Sequence, residues 1–200
     1  MVYVDNSLII NKYKIKVGFY CVNENPVLNE MALDQIEIFF SLLMSNSIII
    51  SKDSYESLKD FPLNNFFMTH KTPDDQTIAS MILFKLINIV GDNLDIEYVS
   101  LSSTSGDKIR YTISTESGEP AILLPSNETW WGDKNNKFEP WWMRNDTATY
   151  DKVFNRDKIY TGDFSWEEMF KDDLKEAANF DAPKDVKKGF KLIPGGKDAD

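Results

Sequence analysis

The run Lys71-Thr72-Pro73-Asp74-Asp75-Gln76-Thr77-Ile78-Ala79, with the apolar periodicity behind it, constrains the fold more than any other stretch of the chain. Thr72 can accept a backbone N–H as a helix cap, Pro73 suits the first helical position, and Asp74 and Asp75 place negative charge at the positive end of the helix dipole. Ile78, Ala79, Ile82, Leu83, Leu86, Ile87 and Val90 then recur at helical spacing until Gly91 and Asn93. The spacing predicts a helix from Pro73 to Val90 whose apolar face covers about a third of its circumference and packs on a sheet.

Upstream, Tyr13, Ile15, Val17, Phe19 and Cys21 alternate with Lys12, Lys14, Lys16, Gly18 and Tyr20, which predicts a strand over 8–22 with one buried face. Met1 to Val4 read as a short strand turning at Asp5-Asn6. Leu33, Ile36, Phe40 and Leu43 take helical spacing and predict a first helix ending near Asn46-Ser47. The segment from Ile48 to Asn65 reads as an irregular connection with a helical turn at Tyr55 to Lys59. Ile96 to Leu101 and Lys108 to Ser114 predict two strands joined through Ser102 to Asp107. The expected fold class is α+β: a ββααββ unit over residues 1–115, with an antiparallel sheet and two helices on one face.

Beyond Glu116 the character changes, because all five Trp residues fall between Trp130 and Trp166. Residues 116–200 read as a Trp-rich, mostly irregular extension and a polar tail, with one helix opened by the capping box Ser165-Trp166-Glu167-Glu168.

The residue inventory removes several kinds of chemistry. One His and one Cys cannot supply a zinc site, so no metal is expected. Cys21, alone and in a strand, reads as a small core residue in a reducing compartment. A formal net charge of −10 argues against a nucleic-acid partner. No run of 18 apolar residues occurs and the first 20 residues lack a signal-peptide pattern, so a cytoplasmic protein is expected, or a virion-associated one if the chain is viral, which its Asn- and Lys-rich composition would suit.

Four stretches, in order, resemble the 6-pyruvoyl-tetrahydropterin synthase and 6-carboxytetrahydropterin synthase family, which has the tunnelling fold. Asn11-Lys12-Tyr13-Lys14-Ile15-Lys16-Val17 is similar to the family's His-Asn-Tyr-Arg-Val-Glu-Val, and Met31-Ala32-Leu33-Asp34 to its Met-Val-Ile-Asp. Pro73-Asp74-Asp75-Gln76-Thr77-Ile78-Ala79 is similar to Pro-Thr-Ala-Glu-Asn-Ile-Ala, and Val99 to Tyr111 resembles its strand-turn-strand ending in Tyr. The departures fall on the chemistry. Asn11 stands where the last zinc-binding His would be, Ser103 where the pterin-anchoring Glu would be, and the catalytic Cys and His have no counterpart.

With those groups missing, the resemblance implies a non-catalytic oligomeric protein with a structural or interaction role, joined to copies of itself through sheet edges, and without a cofactor. Trp130, Trp131, Trp141 and Trp142 are the expected interaction surface of the extension, toward a neighbour or a protein partner. Packing of those rings into the core is the competing use, and recognition of sugar, peptide or single-stranded nucleic acid a third. The alternative function is a pterin- or purine-like small-molecule enzyme or binder with a pocket at the subunit interface, for which His70, Glu97, Ser103 and Thr104 are the candidate residues, together with Asp74 and Asp75.

Overall fold

The computed structural model describes residues 1–45, 47–57, 66–105, 109–117, 140–149 and 166–180. The fold is α+β, with seven strands in two sheets among these residues. Asp5 and Asn6 both take positive φ, 49° and 59°, and close a two-residue turn between β1 (Val2–Val4) and β2 (Ser7–Ile9).

The predicted strand over 8–22 is two elements. β2 turns back on β1, and β3 (Tyr13–Cys21) starts afresh in the other sheet. That second sheet is antiparallel, in the order β3-β6-β7, with β6 at Leu94–Ser103 and β7 at Tyr111–Ser114. It therefore has three strands, where four were expected.

A bulge governs which residues of this sheet face inward. Gly18 lies opposite Tyr98 and Phe19 opposite Ile96, so Glu97 is the extra residue on β6. Leu94 and Ile96 before the bulge, and Val99, Leu101 and Ser103 after it, are all buried. On β3 the alternation fades past the bulge, and Phe19, Tyr20 and Cys21 are exposed. The expected core role for Cys21 is thus corrected: it ends an edge strand that nothing in the described residues covers.

α1 (Pro26–Ile38) is capped by Asn25, whose side chain accepts the Val27 N–H at 3.0 Å, and it runs into a π-helical stretch, Phe39–Met44. The expected irregular connection that follows holds two strands. β4 (Ile48–Ser51) pairs in parallel with β1 and with β5 (Phe66–Thr69), giving the order β2-β1-β4-β5. All eight residues of β4 and β5 are buried, as in parallel strands covered on both faces. The turn expected from Tyr55 is a 3-10 helix at Lys52–Ser57.

α2 (Asp75–Val90) is the central element. Its cap is Asp74, which accepts the Thr77 N–H at 2.6 Å, rather than Thr72. The helix is buried on nearly every side instead of along one stripe. It packs on β6 and β7, on α1, and on a 3-10 turn, Trp141–Met143, from the C-terminal part of the chain. Two short helices, α3 (Trp166–Met169) and α4 (Lys171–Ala178), close the described structure, with α4 against α1. Trp130, Trp131, Ser165 of the capping box and the tail from 181 onward lie outside the described residues.

Candidate functional site

The alternation of β3 and the cap of α2 bring five polar residues to one corner. Tyr13 opposite Ser103 is the first residue pair of the β3–β6 ladder, and the first turn of α2 presents Asp75 to it. The Asp75 carboxylate accepts the Ser103 N–H at 3.2 Å. Asn11 accepts from the Thr104 N–H, the Thr104 hydroxyl and the Ser105 N–H at 3.1 to 3.3 Å. Thr104 in turn donates its N–H to the Lys12 carbonyl at 2.9 Å and accepts the Lys12 N–H on its hydroxyl at 3.1 Å. These bonds fasten the link between β2 and β3 to the end of β6.

Burial pushes the Tyr13 phenol up to about 12, the nearby Asp75 charge adds to the rise, and a hydrogen bond with Asn11 opposes it. At neutral pH the phenol therefore keeps its proton. Tyr13 can donate a hydrogen bond but cannot act as a base there.

Beside it lies a cleft of about 610 Å³, within the size range of small-molecule sites. Tyr13 and Ile15 of β3, Phe40 and Met44 of the π-helical stretch, and Ile49 of β4 supply most of its apolar wall, and Lys12, Ser45 and Ser47 its polar rim. π-helical turns recur at functional sites, because the widened turn re-aims side chains.

Of the four candidate ligand residues, Ser103 and Thr104 reach this corner, where backbone and local side-chain partners account for them. His70 follows β5 and is half-buried, its ring 6.5 Å from that of Trp142. Burial and the neighbouring Lys71 hold it below the ordinary histidine range, against the pull of Asp74. Glu97 is the bulge residue six positions from Ser103, about 20 Å along the strand, and its carboxylate meets the Tyr20 hydroxyl. The structure does not bring Glu97 to the corner.

The chain matches no protein-family model, no curated protein and no solved structure. Among the described residues no group of three or more His, Cys, Asp or Glu is placed to hold a metal ion, and no helix is long and apolar enough to cross a membrane.

Trp141 and Trp142, expected on an interaction surface, are instead wholly buried in their own chain. Trp141 packs edge-on against Phe67 and donates its indole N–H to the Met68 carbonyl at 3.0 Å. Large rings with one donor give most when buried with a partner for that donor, and the edge of β5 offers one. Met68 also donates its N–H to the Thr149 carbonyl at 3.1 Å, so residues 141–149 cover the open side of β5.

Sequence reasoning missed Lys85. It lies in the middle of α2 with no exposure and donates to the carbonyls of Trp141 and Arg144 at 3.0 and 2.8 Å, with Asp146 at 3.5 Å. Burial, and then the Arg144 guanidinium, hold its ammonium well below the ordinary lysine range. The only signal was a lysine among apolar residues, which reads equally well as a chain snorkelling to solvent.

Proposed function

We propose that the chain is a non-catalytic assembly unit on a degenerate tunnelling-type fold, which joins copies of itself through the edges of the β3-β6-β7 sheet. The observation that carries this reading is the complementary order of residues along the two outer strands. β3 is nine residues long, has no proline, and goes from Lys14 and Lys16 to the exposed Phe19 and Tyr20. The β7 edge goes the other way in character: the exposed Ile109 precedes it, the exposed Tyr111 begins it, and Glu116 follows it in a 3-10 turn, Thr115–Ser117.

An antiparallel join of β7 to β3 of the next copy matches apolar with apolar and acid with base. With Tyr111 opposite Phe19 of the next copy, Ile113 faces its Val17 and Glu116 faces its Lys14. A parallel join would set Arg110 beside those lysines instead. Because the two edges differ, the contact is heterologous, and because each antiparallel join reverses the strand direction, repeating it extends an open array rather than closing a ring. The resemblance of β3, α1, α2, β6 and β7 to the ordered motifs of the pterin-synthase family supports the same reading.

The register is testable by charge exchange. Lys14→Glu should lower the assembly and Glu116→Lys alone should do the same, while the double variant should recover it. Failure of the double variant to recover assembly would refute the register.

The cleft favours a second reading, a small-molecule site for a pterin- or purine-like ring. Asp75 does not line the cleft, but at the adjoining corner it puts a carboxylate beside Ser103, so an acceptor for an amidine-type edge lies nearby although residue 103 itself lacks one. A thermal-shift series with pterins and purines tests it. Stabilisation that Asp75→Asn removes supports this reading, and no shift with any of them refutes it.

A further inference from the structure

The cleft between β3, the π-helical stretch and β4 is sorted by depth. Ile49, 4% exposed, is the deepest of its apolar residues, and Ile15, Phe40 and Met44 stand half-buried around it. Phe40 and Met44 lie about one turn apart in the π-helical stretch, so both rest on the face that the cleft opens. Lys12 and Ser45, also in the lining, are exposed and mark the mouth. Inside, the polar atoms already have partners. The Ser47 hydroxyl donates to the Leu43 carbonyl at 2.9 Å, and the Ser47 carbonyl accepts the Met1 amino group at 2.8 Å. The Asn11 oxygen holds the Thr104 and Ser105 donors, and the Tyr13 phenol shares a hydrogen bond with Asn11. At the mouth the balance differs. Among the described residues Lys12 makes no ion pair, the Ser45 hydroxyl makes no hydrogen bond, and no Asp or Glu lines the cleft. In a chain of net charge −10 this is a locally cationic opening over an apolar interior.

An interior whose polar groups are satisfied gives a polar guest nothing to bind, and it favours apolar area by about fourfold in affinity per buried methylene. A lysine without a counter-charge at the rim favours an anion, and its aliphatic stem can lie along the apolar wall. We propose that the cleft binds a medium-chain alkyl carboxylate, its chain against Ile15, Phe40, Met44 and Ile49 and its head at Lys12 and Ser45. The cleft volume of about 610 Å³ is ample for such a chain. The proposal shares with the ring reading only the premise that a small molecule enters the cleft. The polar edge of a pterin or purine is met at Asp75, outside the lining, whereas the carboxylate head is met at the mouth.

The test uses the full chain and decanoate as probe, followed by titration calorimetry and by the methyl NMR signals of Ile15, Met44 and Ile49. A single saturable site per chain is expected, with shifts centred on these methyl groups. From hexanoate through octanoate to decanoate the affinity should rise about fourfold per methylene. 1-Decanol, which has no charge, should bind about fivefold more weakly, and added salt should weaken decanoate but not decanol. Lys12→Met, an exposed change, should remove the difference between the two ligands without altering thermal stability. Met44→Trp, which fills part of the cleft, should weaken both by at least about tenfold. Absence of saturation, no dependence on chain length, or unchanged decanoate affinity in both variants would each overturn the proposal. Stabilisation by pterins without decanoate binding would overturn the alkyl site and leave the ring reading standing.

Discussion

The Lys85 ammonium, buried in the middle of α2, donates to the Trp141 carbonyl at 3.0 Å across 56 residues of sequence. This contact explains why the central helix carries a lysine on a face that is otherwise apolar. The 141–149 segment turns its carbonyls toward α2 and needs a donor there, and only a long cationic side chain reaches both the Trp141 and Arg144 carbonyls.

Lys85→Met should destabilise the protein by about 2 kcal/mol, because two buried carbonyls lose a charged donor while the apolar packing is kept. Urea denaturation measures the loss, and faster hydrogen exchange at Met143 and Arg144 would show that the segment has loosened. The native value of Lys85 lies below its ordinary 10.5, so the unfolded chain binds more protons in the interval between them. Native stability should therefore rise as pH climbs through that interval, and the rise should be absent in the variant.

Asp74→Ala should cost about 1 kcal/mol through loss of the α2 cap. Burial pushes the Asp74 carboxyl up, but the Thr77 N–H bond, the neighbouring Thr77 hydroxyl and Lys71 together hold it below 3.8. Its contribution is thus present above the ordinary value and lost as pH falls through the lowered one. Acid titration of stability should show a shallower fall in the variant than in the native chain.

The helix at Asp75 was legible because a cap, a proline and a helical period agree within one short stretch. Even there the capping residue shifted from Thr72 to Asp74, since both Thr72 and Asp74 are followed by suitable N–H groups and the sequence alone does not rank them. β4 and β5 were not legible. Ile48–Ile50 and Phe66–Met68 are apolar runs too short to show a period, and their pairing is parallel and distant in sequence. The bulge at Glu97 was equally hidden, because the alternation of β3 continues in the sequence while the ladder does not. At the candidate corner Ser103 and Thr104 were named because they stand where the resembled family has its anchoring Glu and the Thr after it, not from any local signal. Tyr13 gained meaning, and Asp75 a partner in Ser103, only once the sheet and the helix cap were brought together.

Tyr13 should ionise near pH 12 in the native chain, and ultraviolet titration of native against Tyr13→Phe protein isolates its contribution. The folded value is above the ordinary 10.0, so the stabilisation tied to the protonated phenol is complete below pH 10 and is lost as pH rises toward 12. Tyr13→Phe should remove that part of the alkaline fall in stability. A native phenol that titrates at 10 would contradict the buried placement.

Gly18→Ala should destabilise β3 by about 1 kcal/mol, because a Cβ there would overlap the Tyr98 ring and force the ring aside. Tyr98→Ala in the same chain should recover the loss from the methyl group. Denaturation of the two single variants and the double variant reads the coupling.

Light scattering during size-exclusion chromatography at micromolar concentration tests the assembly reading most directly. Edge joining of β7 to β3 predicts a mass that exceeds that of the 23.1 kDa chain and grows with concentration, falling to one copy when Phe19 and Tyr111 are both changed to Lys. A native mass of 23.1 kDa, one chain alone, would contradict it.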